Sequence, residues 1–162
     1  MKKSISVIKV LSTLGLVLAA GAAGAQSWKI NCTNTGASAP EPLGDREKHS
    51  LMVKLATCIE VGGPMDGAVV TQGVIWEHDA AGSKALSGDS VARKPGATAA
   101  YRVTEGTLAW VMREGKIAGW TAAGKAMYTL AVGTGAQYAG KSFSWKSWPT
   151  GPNTYVTEMT LD

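Results

Sequence analysis

Six tryptophans stand in this chain, at positions 28, 76, 110, 120, 145 and 148, against a single phenylalanine, Phe143. A small domain that needs only a core fills it with aliphatic side chains. A cluster of large flat rings is also what lines a hydrophobic ligand site, and aromatic faces stabilise a developing cation. Trp76, Trp110, Trp120, Trp145, Phe143 and Tyr128 are therefore candidate ligand-lining residues, with Arg93 as a charged ligand-binding candidate beside them. Asp89 sits mid-strand in Ala85-Leu86-Ser87-Gly88-Asp89-Ser90-Val91. Aspartate is disfavoured in strands, so it asks for a reason. It either points inward as a general acid or base, with Arg93 or Tyr101 setting its protonation, or faces water paired with Arg93. Trp76-Glu77-His78-Asp79 is a second concentration of titratable groups: Trp76 and His78 share a face with Val70 and Val74, and Glu77 points the other way. His49 opens a long strand on its apolar side. Asp89, His49, His78, Glu77 and Tyr101 are the catalytic candidates. Each also has a plain reading as a rim, core or solvated residue.

Other chemistries lack their parts. The chain has no G-x-S-x-G elbow, P-loop, dinucleotide fingerprint or H-E-x-x-H motif. Two histidines and two cysteines give no zinc-ligand spacing. The expectation is chemistry without a cofactor and without a metal.

The elements that position these residues are short strands. In 48–61, His49, Leu51, Val53, Leu55, Thr57, Ile59 and Val61 alternate with Ser50, Met52, Lys54, Ala56, Cys58 and Glu60. That is a period of two. Asp66-Gly67 signals a hairpin turn. Strands follow over 68–78, 85–93, 99–104, 107–112, 117–121, 126–132, 142–148 and 155–161. Between them stand Ala81-Gly82-Ser83, Lys94-Pro95-Gly96, Glu105-Gly106, Glu114-Gly115, Ala122-Ala123-Gly124 and Gly133-Thr134-Gly135. Such spacing implies a sandwich or a barrel of sequential hairpins. Closure removes the two free edges of an open sheet, which favours the barrel. The predicted fold is all-β: one antiparallel up-and-down barrel of about eight strands around a central apolar cavity.

The start of the chain reads as an export signal over 1–25. Lys2, Lys3 and Lys9 precede an apolar run from Val10 to Ala23, and small residues at 23 and 25 fit the cleavage pattern. Removing it takes 3 of the 16 Lys+Arg and none of the 12 Asp+Glu, leaving 13 − 12 = +1 on 137 residues. The basic balance thus belongs mostly to the signal. Neither a nucleic-acid partner nor a membrane partner after signal removal is expected. Residues 26–47 read as an N-terminal segment, with a short strand over 27–32 and a loop over 33–44. Residues 48–162 read as the barrel domain. In a periplasmic or secreted setting, Cys32 and Cys58 would form one disulfide, 26 residues apart, contributing on the order of 3 kcal/mol.

Gly133-Thr134-Gly135-Ala136-Gln137-Tyr138-Ala139-Gly140 resembles the G-T-G-x-x-Y/F-A-G segment of allene oxide cyclase-like and dirigent-like barrels. Gly44-Asp45-Arg46-Glu47-Lys48-His49 resembles their secreted bacterial relatives. The resemblance spans roughly 44–148 and implies an eight-stranded barrel with an apolar cavity, often as a homo-oligomer. Cyclisation guided by cavity shape is the activity it implies. Together with the residues above, the leading expectation is a cofactor-independent isomerase, cyclase or lyase acting on a small hydrophobic molecule of terpenoid, epoxide or phenolic type. The alternatives are a secreted binding protein for such a molecule, or a structural barrel with a filled core.

Overall fold

The structure, a computed structural model, describes residues 26–37 and 39–162. The export signal expected over 1–25 lies outside them. Nine strands appear in chain order: β1 Ser27–Ala37, β2 Glu41–Pro42, β3 Ser50–Val61, β4 Val69–Asp79, β5 Gly82–Lys94, β6 Ala97–Arg113, β7 Lys116–Gly133, β8 Ser142–Gly151 and β9 Thr154–Leu161. From β3 to β9 each strand pairs antiparallel with the next. β1 then fills the gap between β9 and β3, pairing with both. The result is a closed eight-stranded antiparallel barrel, and the two-residue β2 lies on β3 beyond the end of β1. The hairpin expected at Glu114-Gly115 is present. Both residues take positive φ, 50° and 75°, the signature of a primed turn that matches strand twist.

Two expectations are corrected. The barrel begins at Ser27, not at 48, because β1 is a full wall strand, and 33–37 is strand where loop was expected. Glu105-Gly106 and Ala122-Ala123-Gly124 are not turns: each lies inside one long strand, β6 or β7. Gly106 and Gly124 face each other across the β6–β7 ladder. Trp145 pairs with Gly124 from β8, and its indole covers both. A Cβ on Gly124 would lie 1.9 Å from the Glu105 carbonyl oxygen and 2.8 Å from the Trp145 ring; one on Gly106 would lie 3.2 Å from that ring. The glycines make room for a tryptophan rather than for a reversal.

Alternation leaves open which side of β3 faces in, and the structure decides it. Ala56, Cys58 and Glu60 are buried, while Val53, Leu55, Ile59 and Val61 are exposed on the outer wall. The set that carries lysine, glutamate and cysteine is the inner one. A narrow lumen has room for few large side chains, so alanines at 56, 92, 97, 99, 122 and 126 share it with bulky rings.

The lumen is filled unevenly. Around Trp28, Ile30, Met65, Tyr101, Tyr128, Phe143 and Met159 it is a solid core. Tyr128 and Phe143 rings meet at 5.1 Å, and Tyr101 meets Phe143 edge-on at 5.4 Å. A smaller cluster of Trp76, Leu108 and Ala122 lies apart from it, packed against Trp120 and Trp145. Between the two clusters the barrel is open.

Candidate functional site

That opening is a small cavity that reaches the surface, with about 70 Å³ of free space inside. Trp76, Trp120, Trp145, Phe143, Tyr101 and Tyr155 supply most of its wall, with Lys54, Gln72 and Ser90 as polar members. Alternation explains the lining. Gln72, Val74 and Trp76 are successive inward positions of β4, and Lys54 is the inward residue that β3 places opposite Val74.

Lys54 is the one charged residue in the lining. Its Nζ lies 4.2 Å from the ring centre of Trp120 and 4.1 Å from that of Tyr155. Burial pushes its amine down to about 8 from an ordinary 10.5, because a desolvated ammonium is penalised. Gln72 Nε2 donates to the Tyr155 hydroxyl. Burial pushes the Tyr155 phenol up to about 12 and Tyr101 further still. Both are therefore neutral donors at ordinary pH.

Of the residues singled out from sequence, Trp76, Trp120, Trp145, Phe143 and Tyr101 meet at this cavity. The others do not. Tyr128 belongs to the solid core. Trp110 lies exposed on the part of β6 that runs past the cavity, its ring 6.3 Å from that of His78. Arg93 is exposed, one of the outward residues of β5. Asp89 is outward too, and its partner is Arg102 at 2.8 Å, not Arg93. Because both members of this pair are more than 60% exposed, Asp89→Asn should change stability by less than about 1 kcal/mol. Occupancy of the cavity should not change. Denaturant melts and a ligand titration of the variant check this; a clear loss of binding would return Asp89 to the site.

His49, itself buried, and Glu77 form a clasp on the outward side of the wall, under the 45–49 segment. His49 Nδ1 is bonded to Asp45, and Nε2 lies 2.8 Å from Glu77 Oε1. Arg46 reaches Glu77 at 2.9 Å and Asp79 at 3.3 Å, and Lys84 reaches the other Glu77 oxygen at 2.8 Å. Lys84 first, then His49 and Arg46, hold the Glu77 carboxyl down to about 2. The Asp45 bond raises His49. With both ring nitrogens engaged and every carboxylate paired, the cluster fastens the 45–49 segment to the end of β4. His78 follows Trp76 on the inward side of β4 but does not line the cavity. Its Nδ1 bonds Ser83, and burial lowers its pKa.

Lys54, Gln72, Ser90 and Tyr155 are the site residues that sequence reading passed over. The signal was present in Lys54: a lysine in strict alternation with Met52 and Ala56 shares whatever face they take. Among the described residues, no cluster of histidine, cysteine or carboxylate side chains could hold a metal ion. No described helix is long and apolar enough to cross a membrane. No protein-family model, curated protein or solved structure matches this chain, so its own geometry carries the reading.

Proposed function

We propose that this protein is an exported carrier that holds one small, mostly apolar molecule inside its barrel without turning it over. The observation that carries this reading is an aromatic-walled cavity whose lining residues include no carboxylate and no histidine. An isomerase, cyclase or lyase working by acid–base help needs a group that gives or takes a proton at the ligand. Asp89, His49 and Glu77 lie on the outer wall, His78 lies off the cavity, and Tyr101 holds its proton far above neutral pH; Lys54 is the titratable amine left in the wall, and it faces two rings with no carboxylate or histidine beside it to act as its acid–base partner. Rigid rings around a preformed space suit retention instead. Export is supported by the bonded pair Cys32–Cys58, which is at home in an oxidising compartment.

The test is a titration with 1-naphthylmethanol, a neutral ring-bearing probe, followed by tryptophan fluorescence. Trp76, Trp120 and Trp145 line the site and should report saturation at one equivalent. Trp120→Ala should weaken binding roughly five- to tenfold, the loss of one aromatic contact of about 1 kcal/mol or slightly more. No fluorescence response, together with native mass spectra showing an empty protein, would overturn the carrier reading. Probe consumption by the wild type would replace it with an enzyme.

A further inference from the structure

The lining of the cavity carries one charge, and it is positive. Lys54 carries the charge among its lining residues, and among the described residues no carboxylate pairs with it. Among the described residues the Tyr101 hydroxyl and Trp145 Nε1 make no hydrogen bond, and both atoms are closed off by the packing around them. Ser90 lies close enough to Tyr101 to ease its ionisation, yet completes no hydrogen bond in good geometry. Of its acceptors, Ser147 and Thr157 bond each other at 2.7 Å, and the Tyr155 oxygen takes the Gln72 amide. A buried donor left unpaired costs about 1–3 kcal/mol. A half-buried ammonium without a counter-charge is costlier and holds its place here by facing two rings. What is missing is negative charge.

We propose that the ligand is a compact, ring-bearing monocarboxylate whose carboxylate pairs with Lys54 while its ring lies against the tryptophans. The proposal rests on the carrier reading and names what is carried. Size follows from the packing: Tyr128, Phe143, Met65 and Met159 are almost fully buried and fill the barrel beyond the cavity. The free space is small, which favours a compact ligand over a long chain. A carboxylate at Lys54 supplies the counter-charge that burial denies it, so the lysine is protonated when the site is full. The titratable neighbour on the elements packed against Lys54 is Tyr155 on β9; Gln72 and Val74 of β4 and Trp120 of β7 do not titrate. Tyr101 also borders the cavity and, like Tyr155, is neutral below about 12.

Two probes of equal shape decide it, 1-naphthoate and 1-naphthylmethanol, titrated against the full mature protein. At pH 7 the wild type should prefer the naphthoate by about tenfold or more, worth about 1.4 kcal/mol. That preference should fall to about twofold or less by pH 10, as Lys54 loses its proton. In Lys54→Met the two probes should bind within about twofold of each other at pH 7. Equal affinities in the wild type, or a preference that survives Lys54→Met, overturn the proposal and leave the carrier standing. If neither probe binds, the carrier reading fails first and this inference with it. Should Lys54→Met not fold, proton uptake on naphthoate binding to the wild type at pH 8.5, read from the buffer dependence of the binding heat, decides instead. Uptake of a sizeable fraction of a proton supports the pairing, and none overturns it.

Discussion

Glu60→Gln should gain stability relative to the parent protein as pH rises, by about 2–3 kcal/mol between pH 5 and pH 8. Glu60 is an inward residue of β3 and only 1% exposed. Its Oε1 accepts from the Met65 backbone N–H at 2.8 Å, which draws the Gly62–Ala68 connection under the barrel and sets Met65 as its plug. Burial is the leading cause that pushes this carboxyl up to about 7 from an ordinary 4.5; the Met65 bond and Lys94 pull the other way without prevailing. A raised acid binds its proton more tightly in the fold than in the open chain. Its contribution is therefore fully present below about 4.5 and is lost as pH rises through about 7. Glutamine keeps the acceptor oxygen and never ionises, so the variant escapes the loss. Other groups also move in this range. His49, raised, contributes below its ordinary 6.5 and loses that contribution as pH rises; His78, lowered, works in the opposite direction. Both are common to the two proteins, so the difference between their urea midpoints isolates Glu60. A difference that stays flat from pH 5 to pH 8 would show that Glu60 ionises freely, and that water reaches the plugged end.

Glu60 and Lys54 also mark the boundary of what the sequence makes legible. Alternation in 50–61 gives the period of β3 without ambiguity, and the hairpin spacing gives the barrel. Period does not reveal side. Leu51, Val53, Leu55, Ile59 and Val61 form the more apolar set, and hydropathy alone turns them inward. The lumen instead takes the set that fits its volume and its bond: Ala56 for size, and Cys58 because its partner Cys32 lies directly across the β1–β3 ladder. Lys54 and Glu60 follow by parity. Asp89 misleads for the same reason. Aspartate is rare in strands mainly because strands bury one face, and β5 presents it on the wet one, where Arg102 answers it. Gly106 and Gly124 read as turns because glycine's commonest use is conformational. Their use here is steric, and it becomes visible only when Trp145, some twenty residues or more along the chain, is laid across both. The tryptophans at 76, 120 and 145 are legible as a site because ring size restricts where they fit. Trp110 is not, since β6 extends beyond the cavity by a length that no local pattern records.

Reduction of Cys32–Cys58 should destabilise the protein by about 3 kcal/mol, and it should cost ligand binding as well as stability. The bond joins residues 26 apart in sequence, and the open chain regains most of that loop's freedom when it is cut. Its placement adds a second effect. β3 to β9 form a continuous meander, while β1 enters the ring last in topological terms, held by β9 on one side and β3 on the other. The disulfide stands at a direct cross-strand pair on the β1–β3 side. Its sulfurs lie in the core beside Trp28 and Ile30, which β1 brings to the inside. Ile30 also borders the cavity. Loosening β1 therefore opens a gap in the cavity wall, admits water and relieves the desolvation at Lys54 on neighbouring β3. The expected sequence in a reductant series is a fall in the urea midpoint, loss of naphthoate preference over naphthylmethanol, and an upward move of the Lys54 pKa toward its ordinary 10.5. Urea melts and probe titrations with and without dithiothreitol measure all three. A midpoint that falls while the probe preference stays intact would mean that the β1–β3 and β1–β9 ladders alone keep the wall closed. The covalent bond would then protect only the unfolding equilibrium and not the site.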